Sequence, residues 1–188
     1  MYRAIYYFID KFEKKEIEKL NKNVEIIFRN YSKQVKAGEM KKLVKLCRKQ
    51  HRKVYISNDL KTAISCNFNG VYLPSFNKIL KYKNISKQNL EIIGSAHNIK
   101  DIRVKQMQGC NKIFLAPLFK TSKNNNFLDV IKFNIIKLGF KLRFISLGGI
   151  DSKNLKREKL CKSFGLASIS WIKKNGPSVN TGPFLKIK

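Results

Sequence analysis

The sequence predicts an α/β fold, a compact (β/α)8 TIM barrel. Eight short apolar runs alternate with segments of helical period along its 188 residues. The clearest single unit is Leu90–Thr121, LEIIGSAHNIKDIRVKQMQGCNKIFLAPLFKT, which reads strand, helix, strand. Two buried strands joined by a helix run parallel with a right-handed crossover. The chain is shorter than the usual barrel of about 250 residues, so an open doubly wound sheet stays open on periodicity alone.

The elements run in order along the chain. Arg3–Ile9 is a first strand closed by Asp10, and Lys11–Leu20 a charged helix with Phe12, Ile17 and Leu20 on its apolar side. Val24–Phe28 is a strand ending at Arg29; Gly38–Gln50 is a helix with Met40, Leu43, Val44 and Cys47 at helical spacing. Val54–Ser57 is a strand ending at Asn58-Asp59, followed by a short helix around Thr62–Cys66. Gly70–Leu73 is a strand stopped by Pro74, and the polar, lysine-rich stretch 76–89 has no clear period. Leu90–Gly94 opens the unit above. Asn98 is placed to cap its helix, and Ile99, Ile102 and Met107 lie on or near one apolar stripe, with Lys100, Asp101, Arg103 and Lys105 on the other sides. Gly109 stops that helix before the strand Lys112–Ala116. Phe127–Leu138 is a helix capped by Gly139, Leu142–Leu147 a strand followed by Gly148-Gly149, Ser152–Ser163 a helix, and Leu166–Ser170 the eighth strand. Gly176-Pro177 and Gly182-Pro183 interrupt the last stretch, so the eighth helix is expected to be shortened or irregular. Residues 1–188 read as one domain with an irregular tail at 171–188.

Composition narrows the partners. The formal net charge is +28, but the basic residues are spread along the chain and accompany heavy use of Lys, Asn and Ile. That pattern reads as composition bias, so polyanion binding at low salt is expected but no specific nucleic acid partner. No apolar run approaches the roughly 18 residues that span a bilayer, so no membrane partner is expected. MYRAIYYFID reads as a strand and not a signal peptide. Cys47, Cys66, Cys110 and Cys161 are scattered without a CxxC pair, which suits a reduced, cytoplasmic compartment and neither a disulfide framework nor a metal cluster.

The polar residues at the strand ends are the candidate site, because a barrel builds its active face there. Gly148-Gly149 lets main-chain N–H groups approach a ligand, and with Ile169-Ser170 predicts a phosphate site between the last two loops. A tight turn is the alternative. Asp59 is either a ligand to Mg2+ or the N-cap of the next helix. Arg29 suits bidentate contact with phosphate. His97 is either an acid/base or a capping residue, whereas His51 sits in a basic surface loop.

The motifs in order resemble the thiamine phosphate synthase and TenI family. IYYFID, IIFRN, YISND, NGVYLPS, IIGSAHN, LAPLFKT, ISLGGID and GLASIS match its strand ends across nearly the whole chain. The resemblance implies a barrel, small phosphorylated substrates and a role in thiamine biosynthesis: joining a hydroxymethylpyrimidine diphosphate to a thiazole phosphate with Mg2+. The alternatives are a thiazole tautomerase or a binding protein. It assigns Arg29, Asn58 and Asp59 to the diphosphate and Mg2+, and Ser95 to the centre. Thr121, Gly149, Ile169 and Ser170 fall to the thiazole phosphate, and His97 to the position of a tautomerase histidine. It also implies departures. Tyr31 replaces a lysine, Asn77 an acidic residue and Pro74-Ser75 a Gly-Gln, while the threonine-loop lysine is displaced to Lys123 with Asn124 in its place. A homo-oligomer is compatible with all of this.

Overall fold

Every one of the eight apolar runs becomes a strand, and the strands close on one another in sequence order. The computed structural model describes residues 4–31, 36–82, 90–122, 125–168 and 172. Its strands are β1 (Ala4–Ile9), β2 (Val24–Phe28), β3 (Val54–Ser57), β4 (Gly70–Leu73), β5 (Glu91–Ala96), β6 (Lys112–Leu115), β7 (Arg143–Leu147) and β8 (Gly165–Ala167). All neighbours pair in parallel, and β8 pairs β1 through Ala4 with Gly165 and Tyr6 with Ala167, which closes the barrel. The described helices are α1 (Lys14–Glu18), α2 (Ala37–Lys49), α3 (Leu60–Ser65), α4 (Ile99–Met107), α5 (Asp129–Leu138) and α6 (Leu155–Lys159). The tail 173–188 lies outside the described residues, and with it the expected irregular eighth helix.

Alternation along the strands separates two cores. Tyr6, Phe8, Ile27, Tyr55, Tyr72, Ile93, Phe114 and Ile145 fill the barrel interior, while Ile5, Tyr7, Ile9, Val24, Ile26 and Phe28 face the helices. The interior is unusually aromatic. Phe114 meets Tyr6 at 4.9 Å, Tyr72 at 5.6 Å and Phe8 at 5.9 Å, all edge-to-face, the geometry that ring quadrupoles favour. Below this layer Tyr55 Oη donates to Glu91 at 2.6 Å and lies 3.0 Å from Glu25, and Lys112 pairs with Glu91 at 2.8 Å. Burial pushes the Glu91 carboxyl up, but the Lys112 and Tyr55 hydrogen bonds more than offset it and hold it below the ordinary glutamate value.

Several boundaries differ from the sequence expectations for physical reasons. α1 is confined to Lys14–Glu18, and the side chain of its N-cap residue Glu13 makes no cap bond. α6 starts at Leu155 because Asp151 and Asn154 turn the chain first: Asp151 accepts from Lys153 and Asn154 N–H, and Asn154 accepts from Asp151 N–H. The positive φ of Lys162 lies beyond its end. β5 runs on to Ala96, so Ser95 is a strand residue. The largest difference is on α4. Asn98 caps it as expected, accepting from Asp101 N–H at 2.9 Å, but Ile99 and Met107 are about half exposed. The buried face is Ile102, Lys105 and, just past the helix end, Gln108.

The burial of Lys105 has a pH consequence. Desolvation pushes its amine down to about 8, while an unfolded lysine holds its proton to about pH 10.4. Between those values the unfolded chain carries the extra proton, so this group makes stability rise with pH. Wild type is expected to gain stability over Lys105→Met between about pH 8 and pH 10, read by urea unfolding at each pH. A difference that stays flat across that window would contradict the burial argument.

Candidate functional site

The strand C-termini carry the polar residues, as a parallel barrel requires. On the β6–β7 side, Thr121, Ser122, Gly148, Gly149, Ile150 and Ser168 line a cavity of about 350 Å³. Both glycines have positive φ, 93° and 70°. Each is also packed against the β6 loop: a Cβ on Gly148 would lie 2.9 Å from Pro117 Cα, and one on Gly149 would lie 2.5 Å from the carbonyl oxygens of Phe119 and Lys120. Their carbonyls are used inward, Gly148 O accepting from Phe119 N–H at 3.1 Å and Gly149 O from Asn154 at 2.7 Å. No acceptor among the described residues takes the N–H groups of Gly148, Gly149 or Ile150. The tight-turn reading of this pair is realised: the turn uses both carbonyls, and the amides have no acceptor among the described residues.

The β2–β4 side is different. Asn58 stands at φ 59°, and its side-chain oxygen accepts from Asn77 Nδ2. Asp59 caps α3, its Oδ1 accepting from Thr62 N–H at 2.9 Å, so the capping role is realised. Its second oxygen has no described partner. Tyr31 bonds Ser57 through its hydroxyl at 3.0 Å and packs edge-to-face on Phe76 at 5.6 Å. Arg29 stacks over the Phe8 ring at 4.8 Å. It opens into a separate cavity of about 130 Å³ with Asp10, Lys11 and Glu16, not into the one holding Thr121.

His97 and Ser95 lie at the end of β5. Ser95 is buried beside Tyr72, whose phenol is pushed up to about 12 by burial. His97 is exposed but held: its backbone N–H donates to Asp101 at 3.1 Å, and its Nδ1 meets the carbonyl oxygen of Ala116 at 2.9 Å. A carbonyl only accepts, so Nδ1 is the donor of this bond, and Nε2 is the ring nitrogen with no described partner. Burial pushes Asp101 up, but its 2.6 Å pair with Lys78 and the His97 N–H hold it below the ordinary aspartate value.

The implied Mg2+ meets a small donor set. Asp59 offers one carboxylate oxygen beyond its cap bond. Among the described residues no group of three or more His, Cys, Asp or Glu side chains can hold a metal ion. Magnesium accepts one or two carboxylates when phosphate oxygens complete its shell. The residues present therefore fit an ion delivered with a diphosphate better than a resident one.

Of the anticipated residues, the structure brings Thr121, Gly148 and Gly149 into one cavity, and places Asn58 and Asp59 together on another side. Lys123, Ile169 and Ser170 lie outside the described residues. Ser122, Ser168 and Gln108 were not anticipated. The two serines follow strand ends without any periodic signal, while Gln108 and Lys105 continue the Ile102 stripe at helical spacing.

Known proteins give a consistent picture. The family profile described as thiamine monophosphate synthase matches residues 16–172. Thiamine-phosphate synthase of Prochlorococcus marinus (strain SARG) is 30% identical over 125 residues, 65% of this chain and 36% of that protein. That of strain AS9601 is 30% identical over 135 residues, 70% of this chain and 34% of that protein. The chain thus spans about a third of the length of these curated relatives. Thiamine phosphate pyrophosphorylase from Pyrococcus furiosus superposes with a TM-score of 0.74 at 16% identity, covering 94% of this chain and 89% of that one. At that identity the likeness concerns the fold alone.

Proposed function

The chain belongs to the thiamine monophosphate synthase family, and from that premise we propose that it joins a hydroxymethylpyrimidine diphosphate to a thiazole phosphate, releasing diphosphate. The observation that carries this reading is the Gly148-Gly149 cavity, where three amide N–H groups without a described acceptor lie beside Thr121. In the reaction the pyrimidine methylene C–O bond breaks with its electrons leaving on the diphosphate, and the thiazole nitrogen forms the new C–N bond. Gly148, Gly149, Thr121, Ile169 and Ser170 hold the thiazole phosphate and so fix where the nitrogen lies, with Lys123 supplying a counter-charge. Arg29 and Asn58 take the diphosphate oxygens, and Asp59 would hold a Mg2+ ion arriving with the diphosphate. When bound, the ion neutralises the charge that develops on the leaving group. The packed aromatic layer of Phe8, Tyr72 and Phe114 beneath the mouth keeps water from the reactive pyrimidine cation. The substrates are small phosphorylated molecules, with no specific nucleic acid partner. No described helix is long and apolar enough to cross a membrane, and the site of action on this reading is the cytoplasm. The test is diphosphate release by the full chain with both substrates and Mg2+.

A second reading, thiazole-phosphate tautomerisation, is favoured by one observation: His97 is held with Nε2 as its only open nitrogen. The two separate on His97→Ala. A synthase is expected to keep thiazole phosphate affinity within about twofold and lose roughly 10²-fold in coupling or less, the range of one proton-transfer or donor group. A tautomerase is expected to lose conversion of thiazole phosphate altogether with binding intact. Tautomer conversion by the wild type without diphosphate release would overturn the first reading in favour of the second.

A further inference from the structure

A buried lysine usually meets a carboxylate. Lys105 is fully buried on α4 and meets none. Its three N–H donors go to neutral oxygens: Pro74 O at 2.7 Å, Asn77 O at 2.7 Å and Gln108 Oε1 at 2.9 Å. Gln108 adds bonds from Nε2 to Asn77 O at 3.1 Å, Asn77 Oδ1 at 3.1 Å and Ile79 O at 2.9 Å. Room for the lysine stem comes from Gly94, where a Cβ would lie 2.8 Å from Lys105 Cδ. The groups around it do not neutralise it. Burial pushes the Cys110 thiol up to about 12, so it is uncharged, and Asp101 is already paired with Lys78.

The loop gathered by this ammonium reaches the site. Asn77 Nδ2 donates to Asn58 Oδ1, and Asn58 holds the left-handed conformation immediately before Asp59. The side-chain N–H groups of Asn58 have no described protein acceptor.

We propose that Lys105 is a positioning residue for the β3–β4 side of the mouth: its ammonium gathers the carbonyls of the loop after β4, and Asn77 passes that placement to Asn58, whose free amide then faces an anionic ligand. The uncompensated charge also favours an anion there without a second carboxylate–metal contact. The identity of that anion, an alkyl diphosphate, rests on the proposed synthase reading; the placement of Asn58 does not.

Two measurements on the full chain test this separately. In wild-type protein, NMR follows the Lys105 Cε and the Asn58 side-chain amide through a pH titration. The Asn58 resonances are expected to move with the same midpoint as Lys105 Cε, near 8, although the two side chains share no contact. A flat Asn58 signal, or an unrelated midpoint, overturns the proposal whether or not the protein is a synthase. In the coupling reaction, Lys105→Met and Asn77→Ala are each expected to raise KM for the pyrimidine diphosphate about tenfold, the effect of losing an oriented hydrogen bond to a charged ligand, with KM for thiazole phosphate within about twofold. An equal rise in both KM values overturns it. A wild type that turns over nothing refutes the synthase reading alone, since the titration still decides the positioning role.

Discussion

Gly149→Ala is expected to abolish thiazole phosphate binding and to lower stability by about 2–5 kcal/mol. Two costs add. A non-glycine residue at φ 70° carries roughly 1–2 kcal/mol of backbone strain. The new Cβ would lie 2.5 Å from the carbonyl oxygens of Phe119 and Lys120, and backbone in a packed loop gives way only at about 1–3 kcal/mol. Relief of that overlap moves the very loop that holds Thr121, so the amide cradle and its hydroxyl wall part together. Calorimetric titration with thiazole phosphate and urea unfolding read the two effects. Unchanged affinity in a destabilised variant would show that the glycines serve the turn only. Ser168→Ala is the milder companion: its hydroxyl already donates to Ile150 O at 3.2 Å, so it is expected to cost only about 1 kcal/mol of stability.

Asp59→Asn is expected to lower kcat/KM by about 10²-fold or more while leaving the melting temperature within a degree or two. Asparagine caps a helix as well as aspartate does, so Thr62 N–H keeps its acceptor and α3 its start. What disappears is the negative charge that would hold a cation on this side of the mouth. The contrast is Asp59→Ala, which loses the cap as well and costs about 1 kcal/mol in unfolding. Steady-state rates across a Mg2+ titration read the difference. A variant as active as wild type would remove Asp59 from the chemistry and leave it a capping residue.

The barrel was legible because its strands are apolar runs with hard stops. β2, β3 and β4 end at Arg29, Asn58 and Pro74, where a charge, a turn former and a proline each stop the run. Parallel pairing and closure then follow from alternation with helices. The face of α4 was not legible, because a lysine reads as solvent-facing until its stem and three carbonyl partners are known. Lys105 shares the Ile102 stripe by spacing, but its burial depends on tertiary hydrogen bonds to the loop after β4. The site divides the same way. Thr121, Gly148 and Gly149 meet because strand ends six and seven are neighbours in any such barrel. The Asn58–Asn77 contact depends on how the loop after β4 is tied down from below, and the cavity at Arg29 on how α1 leaves β1. Tyr31 and Asn77 looked like losses of charge. Asn77 belongs to the hydrogen-bond network around the Lys105 ammonium, and Tyr31 forms a ring pair with Phe76.

Phosphorus NMR of a single reaction tests the coupling directly. The full chain is mixed with hydroxymethylpyrimidine diphosphate, thiazole phosphate and Mg2+ at physiological salt, so that the +28 charge does not trap phosphates nonspecifically. Inorganic diphosphate is expected to appear one-for-one with thiamine phosphate, and neither product when Mg2+ is chelated. Thiazole phosphate bound at the Gly148-Gly149 cavity with no diphosphate released would contradict the coupling.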